Sequence, residues 1–197
     1  TGIFYDYQEG NRETYRASKT RSQIVPVATV DLRKYFGGKE EVKRLYEEGF
    51  KGVRLFPDLQ GWPVHYEPFF ALLEALANTR MPLMISGLGL GRITEVAQFT
   101  HRYGVPVILA GINYSQHAEA LAVMKRYRNV YVETSLLDTP DAYEIFVREV
   151  GADRLIFGSH SPLYYFSAAF LPLQNAEITE EDKQLILQRN IERLILC

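Results

Sequence analysis

The segment LIFGSHSP, residues 155–162, decides how the rest of the sequence is interpreted. Its first half, residues 155–158, has the apolar composition of a buried strand, and Pro162 prevents the strand from continuing past a polar turn. In proteins that alternate strands and helices, side chains at the carboxyl ends of strands line the binding pocket. The segment therefore predicts both a parallel strand and one wall of a functional site.

Five more apolar segments precede this strand at regular intervals. They cover residues 24–30, 52–56, 82–86, 106–110 and 130–134, and the six segments start 28, 30, 24, 24 and 25 residues apart. Each is nearly continuous in apolar residues, as is typical of parallel strands that are buried on both faces. Patterns of 3.6-residue period lie between them, and a further helix is predicted over residues 11–21. The pattern predicts one α/β domain over residues 1–197.

Two architectures are compatible with six such units. Parallel strands joined by crossover helices either close into a barrel or form an open, doubly wound sheet, and the spacing alone does not choose between them. A complete (β/α)8 barrel takes about 250 residues, whereas an open six-stranded sheet fits the 197 residues of this chain.

Composition excludes several classes of partner. Hydrophobic residues make up 47% and charged residues 23% of the chain, with a net charge of −2, which indicates no surface for nucleic acid or an anionic membrane. No apolar run is long enough to cross a bilayer. The only cysteine is Cys197, so no intrachain disulfide or thiolate metal cluster is expected, and we predict a cytoplasmic protein. The chain starts at Thr1, which predicts a truncated or processed N-terminus.

Several segments together carry a resemblance to a known family. They are GFKGVRLFP (residues 49–57), the predicted strand at residues 82–86 with its glycine-rich exit, VPVILAG (105–111), RNVYVETS (128–135), VGADRLIFGSHSP (150–162) and ITEEDKQLILQRNIERLI (178–195). They resemble the amidohydrolase-related family, which comprises metal-dependent hydrolases and decarboxylases on a (β/α)8 barrel. The resemblance runs from the third barrel strand to the last helix, and it implies that the first two βα units are absent from this sequence. A sheet lacking them would have two bare edges, which either the missing strands or another chain, as in a homo-oligomer, would cover.

The resemblance does not extend to the metal ligands of the family. Such enzymes bind a divalent metal such as zinc through a His-x-His pair on the first strand, histidines ending strands five and six, and an aspartate ending strand eight. The matching positions here are Ser86, Gly111 and His160, and the first-strand pair lies outside the sequence. A zinc site needs three or four protein ligands, so we expect no metal bound by this chain.

His160 and Glu133 are the candidate catalytic acid and base. An imidazole at the end of a strand changes its protonation near neutral pH, although a histidine in such a turn also serves packing alone. Glu133 ends the fifth predicted strand, and strand alternation places it inward together with Tyr131. The alternative for Glu133 is an ion pair with an arginine or lysine outside the barrel.

Arg54 is the candidate anchor for a substrate carboxylate, because arginine is rare inside an apolar strand unless it has a partner. The alternative is an internal ion pair with Glu133 or Asp31. Three polar residues at predicted strand ends are further candidates for contact with the substrate: Ser86, Asn113 and Ser159.

The sequence thus predicts a hydrolase or decarboxylase that acts on a small carboxylated molecule. Its alternative is a non-catalytic descendant that binds a small ligand or a partner subunit. Nucleotide binding is disfavoured, because the segment GLGLGR carries Arg92 where a dinucleotide-binding loop requires its third glycine.

Overall fold

The computed structural model describes residues 2–34 and 37–195, so Thr1 and Cys197, which entered the sequence-based expectations, lie outside the described residues. One sheet of six parallel strands runs in the order of the chain. The strands are β1 (Ala28–Thr29), β2 (Val53–Leu55), β3 (Leu83–Ser86), β4 (Val107–Ala110), β5 (Val130–Glu133) and β6 (Leu155–Ile156). Each lies within one of the six predicted segments, which confirms the strand prediction. A doubly wound sheet would reverse its strand order at a switch point, whereas this sheet keeps the sequential order of a barrel.

Helices connect the strands. They are α1 (Tyr7–Thr20), α2 (Gly38–Glu48), α3 (Pro57–Gln60), α4 (Glu67–Thr79), α5 (Arg92–Tyr103), α6 (His117–Arg126), α7 (Ala142–Val150), α8 (Phe166–Asn175), α9 (Glu180–Gln184) and α10 (Asn190–Ile195), with short 3-10 helices at Tyr114–Gln116 and Ala152–Arg154. A π-helical turn, Leu185–Arg189, joins α9 to α10. Helix α1 begins four residues before its predicted start, because Asp6 caps it by accepting bonds from two backbone N–H groups. Within the described ranges, no helix has both the length and the apolar character required to cross a membrane.

The two faces of the sheet differ in character because successive strand residues point to opposite sides. One face is apolar and fully buried in the main core together with the helices; Leu55, Ile85, Leu109 and Val132 belong to it. On the other face, Arg54 of β2 is paired in register with Met84 of β3, and Glu133 of β5 with Ile156 of β6. This second face contains the polar residues and lines the candidate site.

Asparagine side chains bind the outer edges of both terminal strands. At β1, Asn11 of α1 donates to the carbonyl of Thr29 at 2.8 Å and accepts from its N–H at 2.9 Å. At β6, Asn190 donates to the carbonyl of Leu155 at 2.8 Å. The expectation of two bare edges was therefore wrong, because amide side chains from helices take the place of strand partners at these positions.

Candidate active site

One cavity, of about 340 Å3, lies against the polar face of the sheet. It brings together four of the six residues predicted to form the site: Arg54, Glu133, Ser159 and His160. Apolar side chains from before β1, from β3, from β6 and from α10 complete its walls. Ligand cavities in proteins range from about 300 to 1,000 Å3, so this volume suits a small molecule.

Arg54 is half-buried and is held by the hydroxyl of Ser86 at the end of the neighbouring strand. Its Nε and Nη2 atoms donate to Ser86 Oγ at 3.3 and 3.0 Å, and its guanidinium lies 5.1 Å from the ring centre of Phe56. Burial lowers the pKa of Arg54, and the negative charge of Glu133 opposes that effect. Ser86, which the sequence predicts to contact the substrate, thus contacts Arg54 in the structure.

Neither of the ion pairs considered for Arg54 is present among the described residues. Asp31 instead binds Arg33 through two hydrogen bonds of 2.9 Å, and these bonds lower the pKa of the Asp31 carboxyl. Glu133 lines the same cavity as Arg54, but no oxygen of Glu133 lies within ion-pair distance of it. Arg54 thus presents its remaining N–H donors to the cavity without a carboxylate partner.

Glu133 is buried, with 8% of its surface exposed, and its carboxylate binds groups of two neighbouring loops. The backbone N–H of Gly111 donates to Oε2 at 3.1 Å, while Ser135 donates its N–H to Oε1 at 3.0 Å and its hydroxyl to Oε2 at 2.9 Å. A Cβ atom at Gly158 would lie only 1.5 Å from Oε1. Glycine at this position is therefore what leaves room for the carboxylate.

His160 lies at the mouth of the cavity in a left-handed backbone conformation, with φ of 52°. Its ring packs edge to face on Tyr164, 5.0 Å away, and its carbonyl accepts the N–H of Leu163 at 3.0 Å. No described residue forms a hydrogen bond with the imidazole. Glu133 does not orient His160 by a hydrogen bond, although both line the same cavity.

The structure places Asn113 in a capping role. Its side chain accepts bonds from the N–H and hydroxyl of Ser115, at 3.0 and 2.7 Å, at the start of the 3-10 helix Tyr114–Gln116. It is not among the residues that line the cavity. Ser159 does line it, and its hydroxyl accepts the N–H of Ser161 at 3.3 Å.

Sequence reasoning missed Ser135 and Gly158. Both line the cavity, and together they hold the Glu133 carboxylate in place. The only signal in the sequence was their position, since Ser135 follows the fifth strand by two residues and Gly158 follows the sixth. Polar or glycine residues just after strands are common in this architecture, so position alone does not identify their role.

A sequential parallel sheet with a polar cavity beside its strand ends defines the class of βα-barrel proteins. The chain belongs to the amidohydrolase family, whose sequence profile matches residues 7–195. This match confirms the resemblance found in the sequence. None of the curated proteins matches the chain in sequence.

Several solved structures share the fold, among them the following three. One is a 2,6-dihydroxybenzoate decarboxylase in complex with 2,6-dihydroxybenzoate (TM-score 0.78, 16% identity, 98% of this chain and 77% of that chain). Another is a probable 2-pyrone-4,6-dicarboxylic acid hydrolase from Acinetobacter baumannii with citric acid bound (0.74, 17%, 95% and 79%). The third is a dihydroxybenzoic acid decarboxylase from Polaromonas sp. JS666 with manganese and the inhibitor 2-nitroresorcinol (0.75, 14%, 97% and 75%). Identities this low establish a common fold and not a common substrate.

The manganese in the Polaromonas enzyme raises the question of a metal site in this chain. The described residues contain no group of three histidine, cysteine, aspartate or glutamate side chains able to hold a metal. Near the cavity, His160 offers one imidazole, and both oxygens of Glu133 already accept hydrogen bonds from Gly111 and Ser135. The described residues by themselves therefore do not supply the three or four protein ligands of a zinc site.

Proposed function

We propose that the cavity binds a small carboxylated molecule through Arg54 and that His160 gives the proton needed for its decarboxylation. The proposal rests mainly on the environment of the Arg54 guanidinium. It is half-buried and faces the cavity, with the hydroxyl of Ser86 as its hydrogen-bond partner and no carboxylate within ion-pair distance among the described residues.

An anionic ligand is the simplest partner for such a group. A guanidinium has five N–H donors, and Ser86 accepts from only two nitrogens, Nε and Nη2. Carboxylates match the planar fork of arginine through two parallel hydrogen bonds. The Glu133 carboxylate is already held by its own donors, so the arginine is available for a ligand.

The proposed substrate class is a small aromatic carboxylate. Support comes from the dihydroxybenzoate and pyrone dicarboxylate named for two structural relatives. The cavity of about 340 Å3 suits a single substituted ring. Aromatic rings also border it, since Phe157 lines the cavity and Tyr164 packs on His160.

The chemistry requires one proton transfer. Arg54 holds an anionic oxygen of the substrate, while the protonated imidazole of His160 gives its proton to the ring carbon that bears the leaving carboxylate. The electron pair of the carbon–carbon bond returns to the ring as carbon dioxide departs, and the imidazole is left neutral. Histidine is the side chain that most often acts as a general acid in proteins.

Decarboxylation is favoured over hydrolysis by the state of Glu133. Hydrolysis needs a base that activates water, and this carboxylate accepts three hydrogen bonds that hold it against two loops. Glu133 therefore positions the loop that contains Ser135. We place the protein in the cytoplasm, which its single cysteine supports.

The test uses 2,6-dihydroxybenzoate as the probe, with binding measured by calorimetry and carbon dioxide release measured separately. Arg54→Gln should weaken binding at least about tenfold, because a charge-assisted bidentate contact is lost. His160→Asn should abolish release of carbon dioxide while binding persists. Arg92→Ala is the matched control, because Arg92 is bound to Asp58 away from the cavity. Unchanged binding by Arg54→Gln would refute the proposal.

A non-catalytic binding protein is the second candidate, and the free imidazole of His160 favours it. Catalytic imidazoles usually have a partner that orients them, and none of the described residues forms a hydrogen bond with this one. In that case the probe would bind in an Arg54-dependent manner without release of carbon dioxide. Binding and turnover measured together separate the two functions.

A further inference from the structure

A second cavity, of about 710 Å3, lies at the opposite end of the sheet, where β2 and β3 begin. Phe50 and Lys51 precede β2, and Met81 and Pro82 precede β3. Catalytic sites of βα barrels lie at the carboxyl ends of the strands, and among the described residues the two cavities share only Ile195. The second cavity is therefore a separate candidate site.

Positive charge surrounds this cavity. Lys39, Lys43, Lys51 and Arg80 line it against the single acidic residue Glu47, although the whole chain has a net charge of −2. Lys39 and Lys43 each have a glutamate within 4.0 Å. Lys51 and Arg80 form no ion pair with any described residue. Among the described residues, Glu47 is the only acid in the lining and it pairs with Lys43, so Lys51 and Arg80 favour an anionic ligand.

The backbone of Arg80 is held in a conformation that usually belongs to glycine. This residue ends α4 with φ of 57°, whereas α2 and α5 end at Gly49 and Gly104 with φ of 100° and 69°. Left-handed backbone is unfavourable for residues with a Cβ atom, and such strain concentrates at functional sites. The chain thus has an arginine at the rim of the cavity where glycine would be the easier cap.

The floor of the cavity is apolar. Tyr46 presents half of its surface, and Leu194 and Ile195 are half-buried, whereas Phe50 and Met81 behind them are only 1% and 3% exposed. We propose that this cavity binds a small amphipathic anion, with its apolar body on Tyr46, Leu194 and Ile195 and its carboxylate or phosphate on Lys51 and Arg80. The site is independent of the activity proposed for Arg54 and His160.

Three related probes test the proposal: 2-naphthoate, 2-naphthyl phosphate and the uncharged 2-naphthalenemethanol. Binding is followed by calorimetry in the Arg54→Gln protein, so that the first cavity does not contribute. One molecule of each anion should bind per chain, at least about tenfold more tightly than the alcohol. The tighter of the two anions identifies the head group that the site prefers.

Variants separate the site from unspecific binding. Lys51→Gln and Arg80→Gly should each weaken anion binding about tenfold, the loss of one charge-assisted contact. Arg80→Gly should also raise the melting temperature, because glycine accepts the left-handed conformation, so weaker binding cannot be ascribed to unfolding. Arg92→Ala, at the other end of the sheet, should change nothing. Equal binding of anion and alcohol, or unchanged binding in both cavity variants, would overturn the proposal.

Discussion

Replacing Gly158 by alanine should expel the Glu133 carboxylate from its hydrogen bonds. The added Cβ atom would lie 1.5 Å from Oε1, 2.3 Å from Cδ and 2.7 Å from Cγ of Glu133. The whole carboxyl group therefore blocks the new methyl, and a small shift of one atom does not relieve the overlap. Glu133 must turn into another rotamer.

The magnitude follows from the bonds that are broken. Glu133 accepts three hydrogen bonds, of 3.1, 3.0 and 2.9 Å, from Gly111 and Ser135. A hydrogen bond to a charged group contributes about 1.5–3 kcal/mol, but Ser135 is half-buried and its donors regain water when the carboxylate leaves. We therefore expect the free energy of unfolding to fall by about 3 kcal/mol, which is less than the sum of the three lower values, about 4.5 kcal/mol.

The assay is urea unfolding of Gly158→Ala, Glu133→Ala and the double variant. Each single change removes the same three bonds, so the double variant should lose about 3 kcal/mol rather than about 6. Gly89→Ala is the matched control, since a Cβ there has no neighbour within 4 Å, and its effect should stay within about 0.5 kcal/mol. Additive losses, or a stable Gly158→Ala protein, would refute this account of Glu133.

Three further predictions concern stability. Asn190→Ala should lower the free energy of unfolding by about 2–4 kcal/mol, because Asn190 is buried and binds two backbone carbonyls. The control is Asn175→Ala, at an exposed residue. An equally small loss in both variants would contradict the role of Asn190 at the outer edge of β6. Hydrogen bonds from Arg33 lower the pKa of the Asp31 carboxyl, so the ionised carboxylate stabilises the folded protein. This contribution is complete at a pH above 3.8, the ordinary pKa, and is lost as the pH falls through the lower pKa of the folded state. The stability advantage of wild type over Asp31→Asn should therefore shrink in acid denaturation below about pH 4, and a constant difference would disprove the effect. Burial raises the pKa of Tyr143 to about 12, so the neutral phenol contributes fully to stability at a pH below 10.0, the ordinary pKa, and this contribution is lost as the pH rises through the pKa of the folded state. Tyr143→Phe should not show this loss of stability in alkaline unfolding. Equal losses in the variant and the wild type would exclude a contribution from the Tyr143 hydroxyl.

The positions of the strands and the candidate arginine were accessible from the sequence alone. Parallel strands buried on both faces leave continuous apolar segments, and these segments recur at regular spacing when one helix connects each pair. Arg54 stands out in its segment because an arginine in an apolar strand needs a polar partner. The sequence also indicated that Ser86, Gly111 and His160 occupy strand ends, because a strand end is a local property.

Tertiary structure alone decided which groups meet. Arg54 and Ser86 are 32 residues apart, and Gly111 and Glu133 are 22 apart. Their contacts depend on strand order and register, which no local pattern encodes. For the same reason Asn11 at the edge of β1 was not foreseen. Local periodicity depends on neighbouring residues, whereas the partners of a polar side chain depend on how distant segments pack together.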